Sequence, residues 1–120
     1  RVAHEPAKGL PQGQRPLAWL AEGLLDVVIP ATHNHEPDLL DWQADTFIAA
    51  AARSPRRCEV WPQIWPSPLP WRAVDTAIHP PAAVRRRVAE LGAAGADGVY
   101  LFNFCCYGPL PRMARRGWLC

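Results

Sequence analysis

The residues best suited to chemistry are concentrated in three short segments, and the first of them is residues 32–38. This segment reads Thr-His-Asn-His-Glu-Pro-Asp. Two imidazoles separated by one residue, His33 and His35, point to the same side of a chain leaving a strand. They could ligate a metal ion or hydrogen-bond a substrate hydroxyl in a pH-sensitive way. The carboxylates Glu36 and Asp38 could reach a substrate, or they could simply begin the helix that follows.

The second and third segments combine aromatic rings with amides. Residues 63–75 contain Gln63, Trp65 and Trp71, and residues 103–109 begin with Asn103. Flat aromatic faces can stack on the apolar face of a sugar ring, and an amide can hydrogen-bond sugar hydroxyls. The alternative interpretation, that these tryptophans pack within the domain and its loops, stays open. Tyr100 and Phe102, in the apolar run before Asn103, are expected to pack in the core.

The helices and strands that position these segments can be predicted from the spacing of apolar residues along the chain. Apolar residues at helical spacing alternate with runs that are apolar on both faces, such as Asp26–Ala31, which is typical of strands covered by helices. Residues 1–15 carry glycine and proline without periodicity and predict a loop. We predict helices over 16–23, from the loop after Pro37 to about Arg53, from Pro81 to Gly92 or Gly95 and over 110–118, and strands over 26–31, 58–65 and 97–104. The second helix is predicted to be interrupted near Asp45, which would be the N-cap of its second piece. In the third helix, Val84, Val88 and Leu91 form the apolar stripe, and Arg85, Arg86 and Arg87 are predicted to face solvent.

This alternation predicts an α/β fold made of parallel βα units, since connections of a dozen or more residues favour parallel strands and right-handed crossovers. Pro62 would place a strand end or bulge within 58–65. The three chemically rich segments each follow a predicted strand. In parallel α/β sheets ligands bind at the carboxyl ends of strands, so we expect these segments to share one edge.

Two sequence stretches resemble a known family. Trp19–Pro30 reads WLAEGLLDVVIP, and Gly95–Phe104 reads GADGVYLFNF. They resemble the C-terminal part of glycosyl-hydrolase-like (β/α)8 barrels of a family-10-like group, in which a helix reading W..EGL.D.V.P precedes a late strand and the last strand reads GADGIYLFN. The resemblance covers roughly residues 16–108. It implies that the three predicted strands correspond to strands six to eight of a partial TIM barrel, with sugar-contacting groups at their carboxyl ends.

The chain departs from this family in its carboxylates. Retaining glycosidases of this type carry catalytic carboxylates at the ends of strands four and seven. Strand four would lie outside this chain, and the strand over 58–65 ends in Gln63, Ile64 and Trp65. Glu59 lies near the beginning of that strand and shares a face with Trp61, Gln63 and Trp65. It could point into the barrel or serve as a structural carboxylate.

Three functional hypotheses follow. The first is a glycoside-hydrolase-like fragment that contacts carbohydrate through His33, His35, Gln63, Trp65, Trp71 and Asn103, with Glu59, Glu36 and Asp38 as candidate catalytic acids. The second is a non-catalytic carbohydrate-binding or structural piece. The third is a metal-dependent, amidohydrolase-like hydrolase using His33 and His35, although the chain offers only His79, before a helix, and Asp97, at the opposite strand end, as further ligands.

Composition argues against several other classes of function. A net charge of +2 creates no broad field for nucleic acid, and no apolar run approaches the ~20 residues of a membrane span. No phosphate loop or other cofactor motif occurs, so we expect no cofactor. The four cysteines lack the spacing of a disulfide framework, and Cys58 is expected to be buried and free.

The length of the chain leads to an expectation about its completeness as a barrel and its stability. The chain has 120 residues, whereas a (β/α)8 barrel takes about 250. The resemblance therefore implies a partial domain whose remaining barrel lies outside this chain. With unpaired strand edges, the 120-residue piece alone is expected to be marginally stable or prone to aggregation.

Overall fold

A computed structural model describes residues 1–3, 5–31, 44–65 and 79–102 of the chain. These residues form helices and parallel strand pairs, which is an α/β arrangement as predicted. The helices are α1 (Pro6–Gly9), α2 (Pro16–Ala21), α3 (Asp45–Ala52) and α4 (Pro81–Ala93), with a 3-10 turn at Leu10–Gln12. The strands are β1 (Val2–Ala3), β2 (Val27–Val28), β3 (Pro30–Ala31), β4 (Glu59–Val60), β5 (Gln63–Ile64) and β6 (Tyr100–Leu101).

The strands pair in three parallel ladders: β1 with β3, β2 with β4, and β5 with β6. Only Ile29 separates β2 from β3, and only Trp61 and Pro62 separate β4 from β5. The ladders therefore place consecutive parts of the chain side by side in sequence order, which is the order expected of successive parallel βα units.

Pro62 lies between β4 and β5, which pair with β2 and β6 respectively. The carbonyl oxygens of Val60, Pro62 and Ile64 all point toward the β6 side, where they accept from the N–H groups of Asp97, Tyr100 and Phe102. The N–H of Val60 points the same way and donates to the Asp97 carboxylate at 2.9 Å. The N–H that proline lacks would also face this side, so Pro62 interrupts the ladder without leaving a donor unpaired.

The hydrophobic core has two parts on one face of these strands. Leu20 from α2 and Phe47 from α3 pack with Val28, Cys58 and Val60, while α4 contributes Val84 and Leu91 to a second cluster with Ala44 and Ile64. Leu20 and Phe47 are fully buried. The buried, free state of Cys58 confirms the sequence prediction.

The first fifteen residues differ from the loop that the sequence predicted. They hold β1, α1 and the 3-10 turn, and the chain folds back so that the Gln14 Oε1 accepts from the backbone N–H of Ala3 at 3.0 Å. The neighbouring N–H of Val2 donates to Ile29 within the ladder. Gln14 therefore satisfies the edge of β1 that faces away from β3, a role that no periodic pattern encodes.

Two helix details also differ from the predictions. Asp45 is the first residue of α3 rather than its N-cap, which is Ala44. In α4, Arg87 is buried and its guanidinium lies 3.4 Å from the Glu90 carboxylate, whereas Val88 is 37% exposed. The aliphatic part of an arginine can cover apolar surface, so Arg87 takes a position that the sequence assigned to the solvent side.

No helix within the described ranges is long and apolar enough to cross a membrane.

Candidate functional site

The candidate site lies on the strand face opposite to the core. Cys58, Val60 and Ile64 alternate along β4 and β5 on the face that packs against α2, α3 and α4. Their sequence neighbours therefore point to the other side. We call this second side the aromatic face and define it by Arg1, Glu59, Trp61, Gln63, Trp65, Tyr100 and Phe102.

The end of the aromatic face where β4 begins is held by ordinary surface contacts. The Glu59 Oε2 accepts from the Trp61 indole Nε1 at 3.1 Å, and its Oε1 lies 3.4 Å from the Arg57 guanidinium. A Cβ atom at Gly98 would lie 3.2 Å from the Trp61 ring, so the indole covers Gly98 directly. Glu59 thus occupies the amino end of its strand, where it contacts Trp61 and Arg57.

The carboxyl-terminal half of the same face contains a long-range contact centred on Gln63. The Arg1 Nη1 donates to the Gln63 Oε1 at 3.1 Å. The Arg1 guanidinium also lies over the Phe102 ring, 4.3 Å from the ring centroid. A cation at this distance is attracted by the π face of the ring, so Arg1 is held from two sides.

The Gln63 side chain is 1% exposed, and its Nε2 has no hydrogen-bond partner among the residues that the structure describes. An arginine side chain only donates hydrogen bonds. The amide atom that contacts Arg1 is therefore the oxygen, and the second amide atom is the NH2 group. A buried donor without a partner costs about 1–3 kcal/mol. Such a group is the kind of exception that a binding site explains.

The aromatic rings are arranged around this amide. Trp65 is 2% exposed and stacks on Phe102 with ring centroids 4.9 Å apart. Tyr100 lies opposite Gln63 in the β5–β6 register, and its centroid lies 6.1 Å from that of Phe102. Tyr100 is 38% exposed and Trp61 is 37% exposed, so these two rings offer the open aromatic surface on this face.

The opposite end of the strands carries two groups with structural roles. The Asp97 carboxylate accepts from the Val60 N–H and lies 3.8 Å from the Arg57 guanidinium, at the amino end of the sheet as the sequence predicted. Cys58 lies beneath this end. Burial, and then the nearby Asp26 and Asp97 carboxylates, raise the pKa of the Cys58 thiol. A raised pKa keeps the thiol protonated and chemically inert, which fits a packing role.

The structure places three of the predicted site residues on the aromatic face: Glu59, Gln63 and Trp65. Gln63 and Trp65 lie at its carboxyl end and Glu59 at its amino end, so the face does not bring Glu59 to the predicted ligand edge. The other predicted site residues, His33, His35, Glu36, Asp38, Trp71 and Asn103, lie outside the described residues. Within those described, no group of three or more His, Cys, Asp or Glu side chains could hold a metal ion.

Sequence reasoning missed Arg1, Tyr100 and Phe102 as members of the site. Tyr100 and Phe102 were assigned to the core, yet their alternation along the last strand is a usable signal, because it puts both rings on one face once the face of Gln63 is known. Arg1 had no such signal. It meets Gln63 across 62 positions of sequence, through a strand that the sequence did not predict.

Compared with family models, with curated proteins and with solved structures, the chain gives no match.

Proposed function

We propose that this chain contacts carbohydrate at the carboxyl-terminal half of its aromatic face, as part of a glycoside-hydrolase-like (β/α)8 barrel. The single observation that carries the proposal is the buried Gln63 amide, whose Nε2 lacks a partner within the described residues while its Oε1 is held by Arg1. A sugar hydroxyl or ring oxygen can accept from this NH2 group and remove the cost of burying it.

The surroundings of Gln63 suit a sugar better than a wholly apolar ligand. Ligand sites combine apolar walls with a few well-placed polar groups. The walls on this face are aromatic, and Tyr100, directly opposite Gln63, keeps part of its surface exposed. A pyranose could place its C–H face on Tyr100 while a hydroxyl accepts from Gln63.

The proposed role is contact rather than bond cleavage by the described residues. Glycoside hydrolysis needs two carboxyl groups on opposite sides of the scissile bond. Among the described carboxylates on or beside these strands, Glu59 and Asp97 lie at the amino ends and are engaged by Trp61, Arg57 and the Val60 backbone. If the whole protein hydrolyses sugars, its acids come from other parts of the barrel.

The binding proposal is tested with Gln63→Met, which keeps the length of the side chain and removes both polar atoms. Titration with soluble neutral oligosaccharides, followed by calorimetry or tryptophan fluorescence, should show binding to wild type that weakens at least about tenfold in the variant, as expected for one lost hydrogen bond of about 1.4 kcal/mol. Two effects of the substitution on the unfolding free energy oppose each other: it removes a buried donor that is unpaired within the described residues, and it removes the Oε1 that accepts from Arg1.

The matched control is Gln12→Met, at an exposed glutamine in the 3-10 turn. It should bind like wild type. The proposal is rejected if wild type binds no member of a broad oligosaccharide panel, or if Gln63→Met binds as tightly as Gln12→Met.

The proposal that the chain is part of a barrel is tested by sequencing the gene upstream of the codon for Arg1. We expect the coding sequence upstream of Arg1 to encode further βα units, with an acidic residue ending the fourth strand. A start codon directly before Arg1 would contradict a barrel fragment.

A further inference from the structure

We infer that the site at Gln63 selects a sugar that carries a carboxylate, that is, a uronic acid, over its neutral counterpart. The inference rests on the proposed carbohydrate contact and adds the chemical class of the sugar. It is carried by the juxtaposition of the Arg1 guanidinium with the buried Gln63 amide.

The two groups present donors and no acceptor to a ligand. The Gln63 Oε1 is occupied by Arg1, which leaves the Nε2 donor of that amide. The guanidinium of Arg1 carries five N–H donors, and one of its nitrogens is used in this contact. A ligand that meets both groups must supply acceptors, and a carboxylate supplies two oxygens in the geometry that a guanidinium fork prefers.

Within the described residues, the charge of Arg1 also has no anionic partner on this face. In the part of the chain that the structure describes, the contacts of Arg1 are the Gln63 oxygen and the Phe102 ring, and neither is an anion. The carboxylate that the aromatic face itself carries is Glu59, which is engaged by Arg57 and Trp61. Several other basic side chains of the described surface have acidic partners, as Arg56 has Asp26 at 3.1 Å and Arg86 has Glu90 at 3.6 Å.

Contacts with neighbouring side chains fix the position of the Arg1 guanidinium. Stacking on Phe102 holds the guanidinium on one side, and Phe102 is in turn stacked on the buried Trp65. A long side chain fixed in this way loses less rotamer freedom when it binds an anion. The site therefore offers a preorganised cation beside a buried donor, which distinguishes an acidic sugar from a neutral one.

The experiment compares one oligosaccharide in two forms: a short oligogalacturonate, and the same oligomer with its carboxylates reduced to neutral galactosyl units. Wild type should bind the oligogalacturonate at least about tenfold tighter, and added salt should narrow the difference, since ionic attraction at a partly exposed site is screened. Arg1→Gln should weaken binding of the oligogalacturonate more than binding of the neutral form and so bring the ratio of the two affinities close to one.

Arg85→Gln is the matched control, because it removes the same charge from an exposed position of α4. It should keep the wild-type preference. Equal affinity of wild type for the two forms would overturn the inference and leave the proposed function standing. A preference that survives in Arg1→Gln would overturn it as well, and binding of neither form would overturn both proposals together.

Discussion

The strand face on which a residue lies decides whether its side chain packs in the core or forms part of the candidate site. Gln63 and Cys58 illustrate the difference. Gln63 is a buried polar side chain on the aromatic face that keeps one donor unpaired within the described residues. Cys58 is a small, weakly polar side chain on the core face, packed against Leu20 and Phe47. The first leaves a hydrogen-bonding group for a ligand, whereas the second completes the core.

A pH dependence follows at the residue scale from Cys58. Its pKa in the folded protein is raised, mainly by burial, so the folded state holds the thiol proton more tightly than the unfolded chain does. The stability from this group is fully present below the ordinary thiol pKa. It is lost as the pH rises through that value toward the raised pKa of the folded state.

Urea unfolding of wild type and Cys58→Ala, measured at steps between pH 7 and pH 10, checks this expectation. The wild-type advantage in unfolding free energy should shrink as the pH rises, because only wild type carries this thiol. The other cysteines and the lysine and tyrosine side chains are common to both proteins. Parallel pH curves for the two proteins would show that Cys58 is not shifted.

At the scale of elements, β1 depends on the residues that fold around it. Gln14 caps the Ala3 N–H from the side away from β3, and the Gln14 N–H donates to the Gly9 carbonyl at 3.0 Å. Gly9 is buried, and a Cβ atom there would lie 2.9 Å from both the Cβ and the Oε1 of Gln14. Glycine is therefore required at this position so that Gln14 can approach β1.

Gly9→Ala should destabilise the protein by about 1–2 kcal/mol, since the displaced Gln14 would leave the buried edge of β1 without its hydrogen bond. Gly92→Ala is the matched control. Gly92 lies within α4, and no atom lies within 4 Å of a Cβ added there. Alanine should therefore stabilise the helix by up to about 1 kcal/mol. Denaturant unfolding of both variants measures the two effects, and a Gly9→Ala variant as stable as wild type would refute the proposed role of Gln14.

At the scale of the whole molecule, the β6 end of the strand order is where we expect association with another chain. Among the residues that the structure describes, β6 pairs with β5 alone and therefore lies at an edge. Its residues Tyr100 and Leu101 are 38% and 46% exposed. An edge strand with exposed, large apolar side chains is a site for pairing with another chain.

We therefore expect the isolated 120-residue chain to self-associate or to unfold without a sharp transition. Light scattering after size-exclusion chromatography, across a hundredfold range of concentration, should show a mass that increases with concentration. Leu101→Lys, which places a charge on this edge, should reduce the association, whereas Leu10→Lys in the 3-10 turn, where Leu10 is also exposed, should not. A monomer with a cooperative thermal transition at all concentrations would contradict this expectation.

Much of the architecture could be read from the sequence because it depends on local patterns. The alternation of helical and doubly apolar runs correctly predicted α2, α4 and the strands around Val28, Val60 and Tyr100, together with the α/β class. Period-two alternation also placed Glu59, Trp61, Gln63 and Trp65 on one face. These properties belong to neighbouring residues, so no long-range contact was needed to predict them.

The tertiary structure alone decided which of these side chains form a site. The Arg1 guanidinium meets Gln63 and Phe102 only because β1 joins the strand order, and β1 is held there by Gln14. The exposure of Val88 and the burial of Arg87 depend likewise on what packs beside α4. Sequence periodicity specifies the face on which a side chain lies, whereas its partners are set by contacts between distant segments, and these exist only in the folded chain.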